Sequence, residues 1–244
     1  MLVTTLNARL LDAYGRSTVA TWTGFSRQPV VVVVSPQERT LFAQTLGQSF
    51  QVRSFSATAL EAIRAIQDKE AALDHRRDDF RFQAGRFSWK VLAMAEAFSA
   101  FPEEPALTWL DADSLLRPGV DEWLGRLFAG DDAVYYFGRA HKQMHAETGL
   151  IHFRGSLGRS LFARVLHEYE TLGLFDHHEW TDSYIYTAVF QFRRGCCDLS
   201  RKHGVRSSNP IFEIDGGRHL LHLKGGRKSA SSTALDRLRV WLGR

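Results

Sequence analysis

The apolar positions of this chain follow two rhythms. Val30 to Val34 are five consecutive β-branched residues, the run expected of a strand covered on both faces in a parallel sheet. Ser35 then reads as a helix N-cap, Pro36 as the first helical residue, Glu38 as the capping-box partner and Gly47 as the helix stop. Strand, tight turn and helix open a βαβ unit. A second strand is expected over Phe50 to Ser56, followed by a helix carrying Leu60, Ile63, Ile66 and Ala71 or Leu73 on one face. Further helices are predicted over Phe87 to Phe98, 120–128, 157–173 (closed by Gly173) and 180–192, and strands over Ala106 to Leu110, Ala133 to Gly138 and 148–156. The segment 231–244 reads as a capped helix with a basic outer face. Alternating strands and helices without a repeat, a low-complexity tract or a linker predict one α/β domain. Its sheet should be mixed, mostly parallel and flanked by helices.

Composition narrows the class. The 244 residues are 44% hydrophobic, which is ordinary for a globular chain. The net charge of +4 points to an anionic ligand or partner. The two cysteines, Cys196 and Cys197, are adjacent, which excludes a disulfide framework and fits a reducing compartment. The start lacks a signal-peptide pattern, and no apolar run is long enough to span a membrane, so a cytoplasmic protein is expected.

The chemistry concentrates at two places. The strand at Ala106 to Leu110 runs into Asp111-Ala112-Asp113. Ligands of open α/β sheets bind beyond the carboxyl ends of the strands. Two carboxylates at i and i+2 point the same way and suit Mg²⁺ or Mn²⁺; an Asp after a strand is also an ordinary turn former. Near the other end, His222, Gly225 and Lys228 form H-x-x-G-x-x-K, with Gly226, Lys224 and Arg227 between. An imidazole completes carboxylate metal sites, and paired glycines with cations accommodate a diphosphate. The same run also reads as a solvated basic turn.

Together these motifs resemble the GT-A glycosyltransferases, and in particular glycosyltransferase family 8 and small phage and bacterial relatives. The order "RFSWKV…WLDADS…ETGLIHFR…EWTDSYIY…HLKGGRK" carries the likeness along most of the chain. The resemblance implies transfer of a sugar from a nucleotide-sugar donor, a UDP-sugar. Mn²⁺ or Mg²⁺ would be held by Asp111, Asp113 and His222, with Asp111 also near the donor ribose. Gly225, Gly226 and Lys228 would contact the diphosphate. Residues 1–115 would form the nucleotide-sugar half, 116–228 the acceptor side and 229–244 the basic helix. The chain departs from family 8 after Lys228, where Ser229-Ala230 stand in place of Pro-Trp.

Other residues join this expectation. Glu147, before Thr148-Gly149, can bond sugar or acceptor hydroxyls, or serve as a turn carboxylate. Asp182 can act as the base toward the acceptor, or as a helix-start Asp favoured by the dipole. Trp180 can stack on a sugar or base, or fill the core. Arg86 and Lys90, four apart, can share a helix face aimed at phosphate. The stretch Arg81 to Lys90, with Phe82, Phe87 and Trp89, also suits a nucleic-acid surface, or a helix entry with its aromatics in the core. For the acceptor, a hydroxymethylated pyrimidine in DNA, as in phage hypermodification in a bacterial or infected cell, is set against a cell-surface glycan such as lipopolysaccharide. A metal-dependent nucleotidyltransferase and a non-catalytic binding module are the readings from other classes.

Overall fold

Five valines, Val30 to Val34, form strand β2, and none is more than 1% exposed. Val31 and Val33 enter one core, and Val30, Val32 and Val34 enter the other, on the opposite face. A strand sandwiched in this way must be central, and its neighbours show why. In the computed structural model, which describes residues 1–73, 79–215 and 217–223, β2 lies between β1 (Leu2–Thr5) and β3 (Phe50–Ser54). The other strands are β4 (Ala106–Leu110), β5 (Ser114–Leu116), β6 (Val134–Arg139), β7 (Met144–Arg154), β8 (Cys196–Asp198) and β9 (Leu220–His222). Seven of them make one sheet in the order β3-β2-β1-β4-β7-β6-β8. Within this sheet only β7 runs against its neighbours, and every other pairing is parallel; β5 and β9 form a separate antiparallel pair. The two halves of the chain therefore share one sheet, joined where β4 pairs with β7.

Helices Ala57–Ala72, Ala84–Ala100, Gly155–Glu170 and Asp182–Phe190 contribute to the core on one face. Helices Arg16–Phe25, Arg39–Leu46 and Val120–Leu127 contribute to the other. Ser56 caps the helix Ala57–Ala72 through Ala59 N–H at 3.2 Å. Gly47, at φ +70°, ends the helix Arg39–Leu46.

Several expectations change in detail. Pro36–Glu38 is a single 3₁₀ turn, and Ser35 donates its hydroxyl to the Glu38 carboxylate at 2.8 Å instead of capping the backbone. The other oxygen of Glu38 accepts Ala8 N–H at 2.8 Å, which ties this turn to the segment after β1. β7 begins four residues before the expected start at 148 because it pairs irregularly with β6 out to Met144. The helix expected from 180 starts at Asp182 with Thr181 as its cap. Strands β1, β5, β8 and β9 were not anticipated: each has three or four residues, too few to display a period. The predicted C-terminal helix and Lys224 to Lys228 lie outside the described residues.

Candidate active site

β4 ends at the carboxyl edge of the sheet and delivers Asp111. Its backbone N–H bonds Gly149 O of β7 at 2.9 Å, and its own carbonyl accepts Ser114 N–H at 3.0 Å, which closes a tight turn through Ala112 and Asp113. The helix Arg16–Phe25 clamps this turn from below. Thr18 Oγ1 donates to Ala112 O at 2.6 Å, and Trp22 Nε1 to Ser114 O at 2.7 Å. β5 then pairs antiparallel with β9, with Ser114 opposite His222. This short ladder carries His222 to the carboxylates, and Leu223 N–H adds a bond to Asp113 O at 2.9 Å. Asp215 fixes the entry to β9: it accepts from His219 and Leu220 N–H and contacts His219 Nδ1 at 2.7 Å.

The result is a convergent set of donors. His222 Nε2 stands 2.9 Å from Asp113 Oδ1 and 3.5 Å from Asp111 Oδ2. One ligand atom from each of the three residues lies within 4.8 Å of the other two. Asp113 and His222 are buried, while Asp111 remains about 30% open at its side chain, so the cluster has a solvent-facing side. Two hard carboxylates and one imidazole suit Mn²⁺ or Mg²⁺. The space for the imidazole is made by Gly149, where an added Cβ would lie 2.6 Å from His222 Cε1 and 2.8 Å from Nδ1. Behind the ring, Glu147 Oε1 is 3.9 Å from His222 Nδ1. Glu147 is buried and faces Arg139 Nη1 at 3.6 Å, and its Oε1 accepts Gly149 N–H at 3.2 Å. A carboxylate on the far nitrogen of a ligand imidazole sets its orientation and basicity.

Lys90 supplies the local positive charge. It reaches in from the helix Ala84–Ala100 and is only 8% exposed. Its Nζ contacts Asp182 Oδ2 at 2.9 Å, Asp111 Oδ1 at 3.2 Å and the carbonyl oxygen of Thr148, and lies 5.1 Å from the Trp109 ring centre. Burial works against its charge, but Asp111 and Asp182 outweigh it and hold the ammonium above the ordinary lysine range. Trp109 Nε1 donates to the same Asp111 oxygen at 2.6 Å. One oxygen of Asp111 is thus anchored by protein donors while the other turns to His222.

Asp111, Asp113, His222, Lys90, Asp182 and Glu147 are therefore brought together from five places in the chain. Arg86 is not. It is exposed one turn before Lys90, bonds Gln83 Oε1 at 3.4 Å and lies over the Phe80 ring at 5.6 Å. Gly225, Gly226 and Lys228 lie outside the described residues. Trp180 is core: it is 4% exposed and packs edge-on against Phe82 and Phe175. In the stretch Arg81 to Lys90, Phe82 and Lys90 are buried and Arg81 is held by Asp79 at 2.7 Å, while Arg86 stays exposed and Phe87 and Trp89 are half-buried. Gly149 and Arg139 were not anticipated: a steric need or a partner far along the chain leaves no local signature.

No protein-family model matches the chain, and no curated protein matches it by sequence. Its fold has close company among solved structures. Mouse xyloside xylosyltransferase 1 aligns over 92% of this chain and 96% of its own, with TM-score 0.55 and 12% identity. The galactosyltransferase LgtC, with donor and acceptor sugar analogues, aligns over 92% and 87%, with TM-score 0.52 and 13% identity. The chain has the GT-A glycosyltransferase fold. A third GT-A neighbour, GlyE of Streptococcus pneumoniae, aligns over 92% of this chain and 55% of its own, with TM-score 0.55 and 10% identity. In this GT-A frame the acidic pair sits past β4, at the sheet edge where strands present ligands.

Proposed function

We propose that the chain is a metal-dependent glycosyltransferase that moves a sugar from a nucleotide-sugar, a UDP-sugar, to an acceptor hydroxyl. One observation carries the reading: Asp111, Asp113 and His222 converge on one point at the strand ends of a GT-A fold. Asp111, Asp113 and His222 would hold Mn²⁺ or Mg²⁺, which when bound withdraws charge from the leaving diphosphate. Lys90 adds a fixed positive charge beside them and needs no reorganisation as negative charge develops. Asp182, paired with Lys90, keeps that ammonium in place; this pairing argues against a free general base. Glu147 is a positioning residue: with Arg139 it stands behind His222 Nδ1. The diphosphate contacts of Gly225, Gly226 and Lys228 rest on the motif resemblance. The acceptor we favour is a hydroxymethylated pyrimidine of DNA, and a surface glycan is the alternative.

The test is donor hydrolysis with UDP-sugars and Mn²⁺. The wild type should release UDP, EDTA should abolish turnover, and Asp113→Asn should reduce it by about 100-fold or more. Undiminished turnover in EDTA, or release of pyrophosphate from a nucleoside triphosphate instead, overturns the proposal.

A further inference from the structure

A trough runs along the outer edge of the sheet beside β8. It consists of three hollows with shared walls, of about 300, 800 and 540 Å³. Ala140, Asp198 and Arg201 separate the first from the second, and Gln191 and Phe192 separate the second from the third. Its lining is charged on one side of the balance. Arg164, Arg193, Arg194, Arg201, Lys202 and Arg206 line it, and all are exposed. Asp198 is the carboxylate among the lining residues, and its Oδ1 accepts Gly138, Ser200 and Arg201 N–H at 2.9, 2.9 and 3.3 Å. A fourth hollow, of about 410 Å³, shares Leu157 and Arg194 with the third and carries Asp131 and Asp132, so the cationic lining gives way to carboxylates at that end. For a chain with a net charge of only +4, this is a strong local concentration of cations.

The aromatic on the wall between the second and third hollows has no role in the core. Phe192 is 87% exposed and adopts φ +61°, a left-handed conformation suited to glycine. The turn after the helix Asp182–Phe190 forces it there, with Arg193 N–H bonding Phe190 O at 3.0 Å. Gln143, another of the three left-handed non-glycine residues described, lines the same hollow as Phe192. Backbone strain of this kind persists where function uses it. At one wall of the middle hollow, Arg139 faces the buried Glu147 at 3.6 Å, and Glu147 lies 3.9 Å from His222 Nδ1, so that wall backs onto the candidate metal cluster.

We infer that this trough binds single-stranded nucleic acid. A cationic groove that follows the phosphates, with an exposed aromatic on which a base stacks, is the arrangement such strands require. A bilayer is flat and would meet the rims at Phe192, Met144 and Leu157, leaving the concave floor empty. The inference deepens the DNA acceptor proposed above, but it rests on the residues of the trough and not on the metal cluster.

The test is fluorescence anisotropy with a labelled oligothymidylate of about 15 nucleotides, within the site sizes of such grooves, titrated with the full chain at rising salt. Binding should weaken steeply with salt. Phe192→Ala should weaken it by about 10-fold or more. Arg201→Ser/Arg206→Ser should lower the slope of log K against log salt by about 1.4. Both variants should keep wild-type UDP release, and Asp113→Asn should keep wild-type oligonucleotide affinity, so failure of one reading is separable from failure of the other. Absence of oligonucleotide binding at 50 mM salt, affinity untouched by both trough variants, duplex bound as tightly as single strand, or stronger binding to phosphatidylserine vesicles each overturns the inference.

Discussion

Gly149 shows how much of the site depends on an atom that is absent. A methyl group there would sit 2.6 Å from His222 Cε1, closer than real Cβ contacts come, and the ring is the side that must move. The position is in β7 with ordinary backbone dihedrals, where alanine costs nothing conformationally. Gly149→Ala should therefore leave the folded state intact by circular dichroism while Mn²⁺ affinity, by calorimetry, falls about 10-fold or more, as expected when a ligand imidazole is displaced. Unchanged affinity would show that His222 is not held by this gap. Asp111, Asp113 and His222 could be named in advance because the order of their motifs resembles a known family; alone, the Asp pair also read as a turn and the His222 run as a solvated basic turn, and the structure brings the three together. Gly149 could not, because its need is created by a residue on β9. Lys90 was expected on a helix face aimed at phosphate; its place as the shared partner of Asp111 and Asp182 was not legible, since three elements meet there.

Lys90 links the helix Ala84–Ala100 to the start of the helix Asp182–Phe190. Thr181 caps that second helix at Tyr184 N–H, 3.1 Å away, and Asp182 accepts Ser183 N–H at 2.8 Å, which adds a negative charge where the helix dipole favours it. Removing the cation leaves two carboxylates facing each other's space with Asp182 3% exposed. Lys90→Met should destabilise the fold by about 3–5 kcal/mol, the usual effect of orphaning one side of a buried ion pair. Lys90→Met/Asp182→Asn should recover part of that loss in urea midpoints at constant m. Strictly additive losses would mean that the pair has no coupling. Long elements such as β2 and the helix Ala57–Ala72 were legible because their periodicity spans several residues. β1, β5 and β9 were not: they are short, and a strand of three or four residues is specified by what it pairs with.

The molecule as a whole is held together at β7, which pairs with β4 of the first half and β6 of the second. His152 lies at this junction. It is 8% exposed, stacks on Phe128 with centroids 4.2 Å apart and shares a 2.8 Å hydrogen bond with Thr108 through Nδ1. Its Nε2 has no hydrogen-bond partner among the described residues. Burial first, then the charges of Arg154 and the N-terminus, push its pKa down to about 3 from an ordinary 6.5. Between those values the unfolded chain binds a proton that the native state refuses, so stability falls as pH falls. The slope approaches about 1.4 kcal/mol per pH unit below 6.5 and vanishes above it. Because β7 joins both halves, the loss should be global: near- and far-ultraviolet circular dichroism should report one denaturation midpoint at every pH. His152→Asn keeps a polar atom near the Nδ1 position but cannot accept the proton. Its stability should therefore fall less than that of the wild type between pH 7 and 4.5, whatever its offset at pH 7. The unfolding free energy of the wild type minus that of the variant should decrease on acidification, whereas parallel curves would remove the imidazole as the source of the slope.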